Sequence, residues 1–231
     1  MTPLCVTCMY DRPLVSDLFL TNMERLGIPV LAAVSDRGSM DVCEGRAESF
    51  LYYNQPLGKK WNAVIERSLS YDNWTHLMIS GDDDLYSTDY LTMIDEYQDL
   101  PYIGLGSLYM IDPFDYMALH FKYDYPVPVA IGSGKVLQRK AVEKSVELFD
   151  SELRKGLDTY VDLKLLENGY SPIIIDRDNT MMVSVKTRNN IWPLRNFIDI
   201  ADEVDFNEAL SFLSDDEKFK IQNIRNKKTV K

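Results

Sequence analysis

An apolar run, Leu4–Met9, is followed by a stretch of helical periodicity, Leu14–Leu26, and then by a second apolar run, Ile28–Val34. This succession constrains the fold more than any other feature of the chain. Leu14, Leu18, Met23 and Leu26 fall near one face of the intervening helix, so the segments read as a βα unit with buried strands. The pattern repeats: Ser49–Tyr53 is a short third strand, a helix spans about residues 59–69, and Thr75–Ser80 is a fourth strand. Alternation of this kind predicts an α/β fold with a mostly parallel central sheet flanked by helices.

Further along, Tyr90–Tyr97 reads as a helix and Ile103–Ile111 as one more strand. Between Asp112 and Val129 the pattern breaks, with Pro113, Pro126 and Pro128 set among aromatic residues, which predicts an irregular excursion over the sheet. Order returns at Ala130. Lys140–Phe149 and Tyr160–Glu167 look helical, Gly169 stops the second, and Ile173–Ile175 is a late strand. No internal repeat or low-complexity segment is visible.

With 231 residues, 45% of them apolar, the chain can bury a full core, and we divide it into a domain over residues 1–195 and a helical, basic tail over 196–231. Lys218, Lys220, Arg225, Lys227, Lys228 and Lys231 face no carboxylate within the last stretch, which reads as a solvated face. The net charge of −11 disfavours a large phosphate-binding surface. Cys5, Cys8 and Cys43 are an odd set, and the two histidines, His76 and His120, lie too far along the chain to complete a zinc site with them. No stretch approaches the roughly 20 apolar residues of a membrane span, and the N-terminus lacks the basic region of a secretion signal, so a cytoplasmic protein is expected.

The strand Thr75–Ser80 runs straight into Gly81-Asp82-Asp83-Asp84, which places three carboxylates at the carboxyl end of a buried strand. In open α/β sheets that edge is where ligands sit. Carboxylates so close repel one another unless a cation neutralises them, and oxygen ligands select a hard ion that can bridge to a diphosphate. A solvated acidic turn before the next helix is the alternative.

Four segments in order move the balance: Val6-Thr7-Cys8-Met9-Tyr10-Asp11-Arg12, Val34-Ser35-Asp36-Arg37-Gly38-Ser39, Pro56-Leu57-Gly58-Lys59-Lys60-Trp61-Asn62-Ala63, and the acidic cluster. Over about residues 3–180 the chain resembles the GT-A glycosyltransferases, most closely the family 2 type. The resemblance implies a nucleotide-sugar-binding fold and a Mn²⁺ or Mg²⁺ cofactor. It implies that Thr7, Tyr10 and Arg12 line the nucleotide pocket, that Asp36 bonds the base or ribose, and that Lys59 and Asn62 flank the nucleotide and its diphosphate. In one register Asp82 and Asp84 form the family's Asp-x-Asp pair, on ribose and metal; in the other Asp83 and Asp84 take that work. Asp84 is a metal ligand in both, with Asp82 as its candidate companion. Where many members carry a histidine, this chain has Lys186, Arg188, Asn189 and Asn190, so Lys186 or an amide is expected on the diphosphate.

Transfer with inversion needs a carboxylate to take the acceptor's proton. By the same resemblance it lies at the start of a late helix, here opened by Gly156-Leu157-Asp158. Asp158 is the first candidate and Asp162, one turn later, the second. The expected partners are a nucleotide-sugar donor, with UDP preferred, and an acceptor that is a glycan, a protein or a modified nucleic acid. A nucleotidyltransferase or a non-catalytic nucleotide-sugar-binding module are the competing readings; Tyr10-Asp11-Arg12-Pro13 lacks the glycine-rich loop that the first would want.

Overall fold

The structure is a computed structural model that describes residues 1–123, 129–145, 147–154, 156–175, 181–188 and 190–226. Pro126, Pro128, Asn189, Lys227, Lys228 and Lys231 lie outside the described residues. In chain order the elements are β1 (Pro3–Met9), α1 (Pro13–Leu26), β2 (Val30–Val34), α2 (Arg37–Cys43), β3 (Glu48–Leu51), α3 (Leu57–Ser68), β4 (His76–Ile79), β5 (Asp84–Tyr86) and α4 (Thr88–Glu96). They continue with β6 (Tyr102–Leu105), β7 (Ser107–Asp112), β8 (Met117–Lys122), β9 (Lys135–Gln138), α5 (Arg139–Lys144), α6 (Leu157–Glu167), β10 (Ile173–Ile175), β11 (Met182–Val185), β12 (Asp202–Glu203), α7 (Phe206–Ala209) and α8 (Asp215–Asn226).

The first sheet has the order β10-β6-β9-β4-β1-β2-β3 and is parallel except at β9. β1, β2 and β4 are nearly all buried, which is why they read as continuous apolar runs. Their parallel registers bring Met9, Val34 and Ile79 to one edge. α1 begins at Pro13, whose fixed φ suits a first helical position, and ends on Gly27 at φ +68°, a left-handed conformation that glycine adopts without strain.

A second sheet, order β12-β8-β7-β11-β5, departs from expectation. The run Ile103–Ile111 is two strands: β6 belongs to the first sheet and β7 to the second, with Gly106 between them. Both halves are buried, and apolar content alone cannot show where a chain changes sheets. Part of the stretch expected to be irregular is β8, which forms a hairpin with β7 across a turn containing Tyr116 at φ +54°. Pro113 lies in the turn and Met117–Lys122 contains no proline, so the composition of the wider segment masked an ordinary strand. The expected helix over Lys140–Phe149 is the shorter α5.

β4 ends at Ile79 in the first sheet and β5 begins at Asp84 in the second. The acidic cluster therefore occupies the crossing between the two sheets.

α3 docks closely on residues 150–153. The Gly58 N–H donates to the Leu153 carbonyl at 3.1 Å, and a methyl at Gly58 would fall 1.8 Å from the Asp150 carbonyl oxygen. Gly58→Ala is expected to cost at least about 1–3 kcal/mol, the usual cost of overpacking, measured by urea unfolding. An unchanged midpoint would show that this contact does not hold the helix.

The C-terminal helix is not solvated on all sides. Ile221 and Ile224 join a core with Val15 and Leu18, and the buried Glu217 carboxylate accepts from Asn22 Nδ2 at 2.7 Å and Arg25 Nε at 2.9 Å. Lys220 pairs with Asp17 at 2.6 Å, so α8 is clamped onto α1 at several points. Among the described residues no helix is long and apolar enough to cross a membrane.

Candidate active site

Each carboxylate of the cluster meets a different environment. Asp82 is fully buried beneath α1, where its carboxylate is paired with Arg12 and accepts from Ser16 Oγ at 2.7 Å. Asp83 meets the segment that follows β11. It accepts from Asn190 Nδ2 at 2.5 Å and Lys186 Nζ at 3.3 Å, with Arg12 at 3.5 Å. β11 positions these donors: it pairs with β5 opposite Asp84, the Val185 N–H bonds the Asp83 carbonyl at 2.7 Å, and Lys186 follows at once. Asn190 is locked by the Thr187 N–H and hydroxyl on its own oxygen, at 2.6 and 2.9 Å.

Among the described residues no cationic side chain is bonded to Asp84, and its hydrogen-bonding neighbours are the Ser133 and Ser184 hydroxyls. Burial, and then the adjacent Asp83, push its carboxyl up to about 6. Asp83 is also buried, but Lys186 and Arg12 outweigh that and hold it down to about 2. For Asp82 burial prevails over Arg12 and raises the carboxyl. The same pairing keeps the Arg12 guanidinium charged against its own burial. Asp82 and Asp83 are thus ion-paired with protein cations, whereas Asp84 is bonded by the Ser133 and Ser184 hydroxyls and feels Lys186 only at longer range.

That arrangement fits a hard divalent ion at Asp84. Among the described residues no three His, Cys, Asp or Glu side chains are grouped to hold a metal by themselves. Mg²⁺-type sites commonly use one or two carboxylates and complete their shell with water and substrate phosphates, so a single free carboxylate beside a cavity is compatible with one. Gly81 leaves room here for two carboxylates. A methyl on it would lie 2.7 Å from Asp84 Oδ2 and 2.8 Å from Asp83 Oδ1.

The cluster opens onto a cavity of about 490 Å³. Tyr10, Arg12, Lys60 and Trp61 line it from the β1 and α3 side, Gly132, Ser133 and Asp158 from below α6, and Lys186, Asn190 and Trp192 from beyond β11. The second sheet contributes an apolar wall of Leu108, Met110 and Phe121. Ser133 ties two sides together: its hydroxyl accepts from the Gly81 N–H at 3.0 Å and bonds the Tyr86 hydroxyl at 3.0 Å.

Asp158 lies in the first turn of α6, where no side chain caps the helix. Its carboxylate rests on Gly132, where a methyl would come within 2.3 Å of it. It is open to water from the cavity while protein surrounds its other sides, and this partial desolvation raises the carboxyl; Lys135 opposes the rise and Asp162 adds to it.

Several expected positions are not on the cavity. Asp162 is fully buried and ion-paired with Lys135, so it has no access to an acceptor. Lys59 points outward to Glu152 at 3.2 Å, and Lys60 enters the cavity region instead, its Nζ donating to the Met9 carbonyl at 2.7 Å. Helical phase explains the exchange, since Lys60 precedes buried Val64 by one turn whereas Lys59 lies about 100° away. Asn62 clips α3 to the Phe149 backbone, with its Nδ2 at 2.7 Å from the carbonyl and its Oδ1 at 2.9 Å from the N–H. Asp36 caps α2 through the Ser39 N–H at 2.9 Å and accepts from the Asp11 N–H at 2.8 Å. Thr7 is wholly buried in β1 and its hydroxyl has no hydrogen-bond partner among the described residues. Thr7, Asp36, Lys59 and Asn62 are thus structural neighbours of the cavity, not part of its lining.

A central sheet whose strand ends carry an acidic crossing, with a late helix closing the cavity from the far side, is the GT-A glycosyltransferase architecture, and the chain has that fold. No family model matches the sequence, and no curated protein matches it. Solved structures do. Residues 1–349 of S. aureus TarS, a family 2 glycosyltransferase, align with a TM-score of 0.56 at 12% identity over 80% of this chain and 60% of that one. The same span in complex with UDP-GlcNAc aligns with a TM-score of 0.54 at 12% identity, over 98% of this chain and 72% of that chain. A longer TarS structure aligns with a TM-score of 0.53 at 11% identity, over 80% of this chain and 37% of the other. At such identity the likeness establishes the fold alone.

Proposed function

We propose that this chain is a metal-dependent glycosyltransferase that moves a hexosyl or pentosyl group from a nucleoside-diphosphate sugar, with UDP favoured, to an acceptor hydroxyl with inversion. The observation that carries the reading is convergence. Three carboxylates at the sheet crossing, the cations Arg12, Lys60 and Lys186, and the separate carboxylate Asp158 all border one cavity. That UDP-GlcNAc is bound in one of the similar structures supports a nucleotide-sugar donor.

In this reading Asp158 accepts the acceptor's hydroxyl proton as its oxygen bonds to the anomeric carbon, and the bond from that carbon to the diphosphate oxygen breaks with its electron pair leaving on the phosphate. Arg12 and Lys186 stand beside the cluster to compensate the departing diphosphate's charge, and Tyr10 and Trp61 offer ring faces for a base or sugar. A Mg²⁺ or Mn²⁺ held by Asp84 would supply further compensation of that charge as a Lewis acid. The acceptor class, whether glycan, protein or modified nucleic acid, is open to a transfer screen with a labelled donor.

The deciding measurement is calorimetry of UDP with Mn²⁺ and again in EDTA. Binding should weaken by at least about tenfold without the ion, the equivalent of about 1.4 kcal/mol. Equal affinity in both would remove the acidic crossing from its proposed role, and a nucleoside triphosphate consumed with release of pyrophosphate would indicate nucleotidyl transfer instead.

A further inference from the structure

Asp162 does not reach the cavity, yet it centres a buried network close beneath it. Its Oδ1 accepts from Lys135 Nζ at 2.6 Å and from the Tyr102 hydroxyl, and its Oδ2 accepts from the Ala130 N–H at 3.0 Å. Lys135 Nζ also donates to the Ala130 carbonyl at 3.1 Å and to the Tyr102 oxygen at 3.0 Å, which occupies all three of its protons. Lys135 is 1% exposed, and Asp162 and Tyr102 are fully buried. An ion pair is a poor way simply to fill a core, because well-packed apolar side chains of similar volume often stabilise as much or more. What this one supplies is a grip on Ala130 by both its N–H and its C=O.

That grip lies two residues before Gly132, on which the Asp158 carboxylate rests. One residue beyond Gly132, Ser133 is bonded to Gly81; after it, the Gly134 N–H donates to the Ile79 carbonyl at 2.9 Å. Residues 130–134 therefore run from the ion pair, under Asp158, to the acidic crossing. Their position determines how far the carboxylate on α6 stands from the cluster.

We propose that Lys135 and Asp162 are positioning residues for Asp158, holding the 130–134 segment that supports its carboxylate and fixing the charge around it. This rests on the assignment of Asp158 as the base. The charged groups that act on Asp158 come from three elements: Lys135 on β9, Asp162 on its own helix and Lys186 after β11. Lys135 and Lys186 favour the carboxylate and Asp162 opposes it.

The test uses three variants of the full chain. Lys135→Met and Asp162→Asn each remove one charge, and the double variant removes both, so that it folds without an uncompensated buried ion even where a single variant does not. In the double variant one amide oxygen cannot replace two carboxylate oxygens and the lysine. Its UDP affinity should stay within about twofold of the parent, while kcat falls by roughly 10–100-fold, the usual effect of losing an outer-shell support. Carbon-detected NMR of the Asp158 carboxyl, identified by its loss in Asp158→Asn, should titrate at higher pH in Lys135→Met and at lower pH in Asp162→Asn. A structural role alone would not move the midpoint in opposite directions. A folded double variant with parental kcat, or an Asp158 signal that titrates alike in every variant, overturns the proposal. A parent protein that transfers no sugar overturns the assignment of the base instead, and the NMR midpoints then decide the network on their own.

Discussion

Asp158→Asn is expected to leave donor binding nearly unchanged and to lower the transfer rate by roughly two to four orders of magnitude, the worth of a positioned general base. The groups proposed to face the donor, Arg12, Lys60 and Lys186, come from other elements and do not bond Asp158. The amide keeps the shape of the carboxylate on Gly132 but cannot take a proton. A helix cap would behave differently. No side chain caps α6, so Asp158 contributes to the helix only through its charge near the N-terminus, worth typically about 0.3–1 kcal/mol. Steady-state rates and calorimetry of UDP on the same preparation separate the two effects. Retained turnover with a lowered melting temperature would return Asp158 to a structural role. The raised Asp158 carboxyl adds a pH signature: the base is lost as it protonates, so the acid limb of kcat should lie above the ordinary aspartate range.

Asp84→Asn should be the second large effect, lowering turnover by about 10²–10⁴-fold, because several kcal/mol of charge compensation at the leaving group depend on the ion it would hold. Stability should move the other way. The Asp84 carboxyl titrates at an ordinary 3.8 when unfolded and is pushed to about 6 in the fold by burial and Asp83. The folded state therefore binds that proton more tightly, and the parent loses stability as pH rises through this window. Asn carries no such charge. In EDTA the variant should gain in melting temperature relative to the parent between about pH 4 and about pH 7. A variant destabilised at neutral pH with activity intact would favour a plain acidic turn.

The first half of the fold is legible in the sequence because buried parallel strands leave long apolar runs and the helices between them keep a one-sided pattern. β1, α1, β2, α3 and β4 all fall within a few residues of where those patterns place them. The second sheet is much less so. β5 and β11 are three and four residues long, too short to show periodicity, and their order depends on contacts distant in the chain. The acidic crossing and Asp158 are visible as local motifs, whereas Lys60, Ser133 and Lys135 are not. The inward direction of Lys60 follows from the phase of α3, where Leu57, Trp61 and Val64 mark the same helical face. Lys135 carries no local signal, since a lysine in a strand is ordinarily expected to reach solvent, and the Asp162 carboxylate with the Tyr102 and Ala130 oxygens, all distant in sequence or hidden in loops, makes its burial tolerable. The bracing role of Asp36, which accepts three hydrogen bonds within its own loops, is likewise not visible in the sequence.

The chain changes sheets at the acidic crossing, and this divides responsibility for the cavity between two bodies of hydrogen bonding. Tyr10, Arg12 and Asp82 follow strand ends of the first sheet, Asp84 and Lys186 stand on β5 and just after β11 in the second, and the apolar wall of Leu108, Met110 and Phe121 belongs to the β7–β8 hairpin. Substitutions on that hairpin can reshape one wall without disturbing the register of β1, β2 and β4. Under the proposed function, the shape of what fits the cavity is thus set partly by a hairpin that carries none of the charged groups assigned to the reaction.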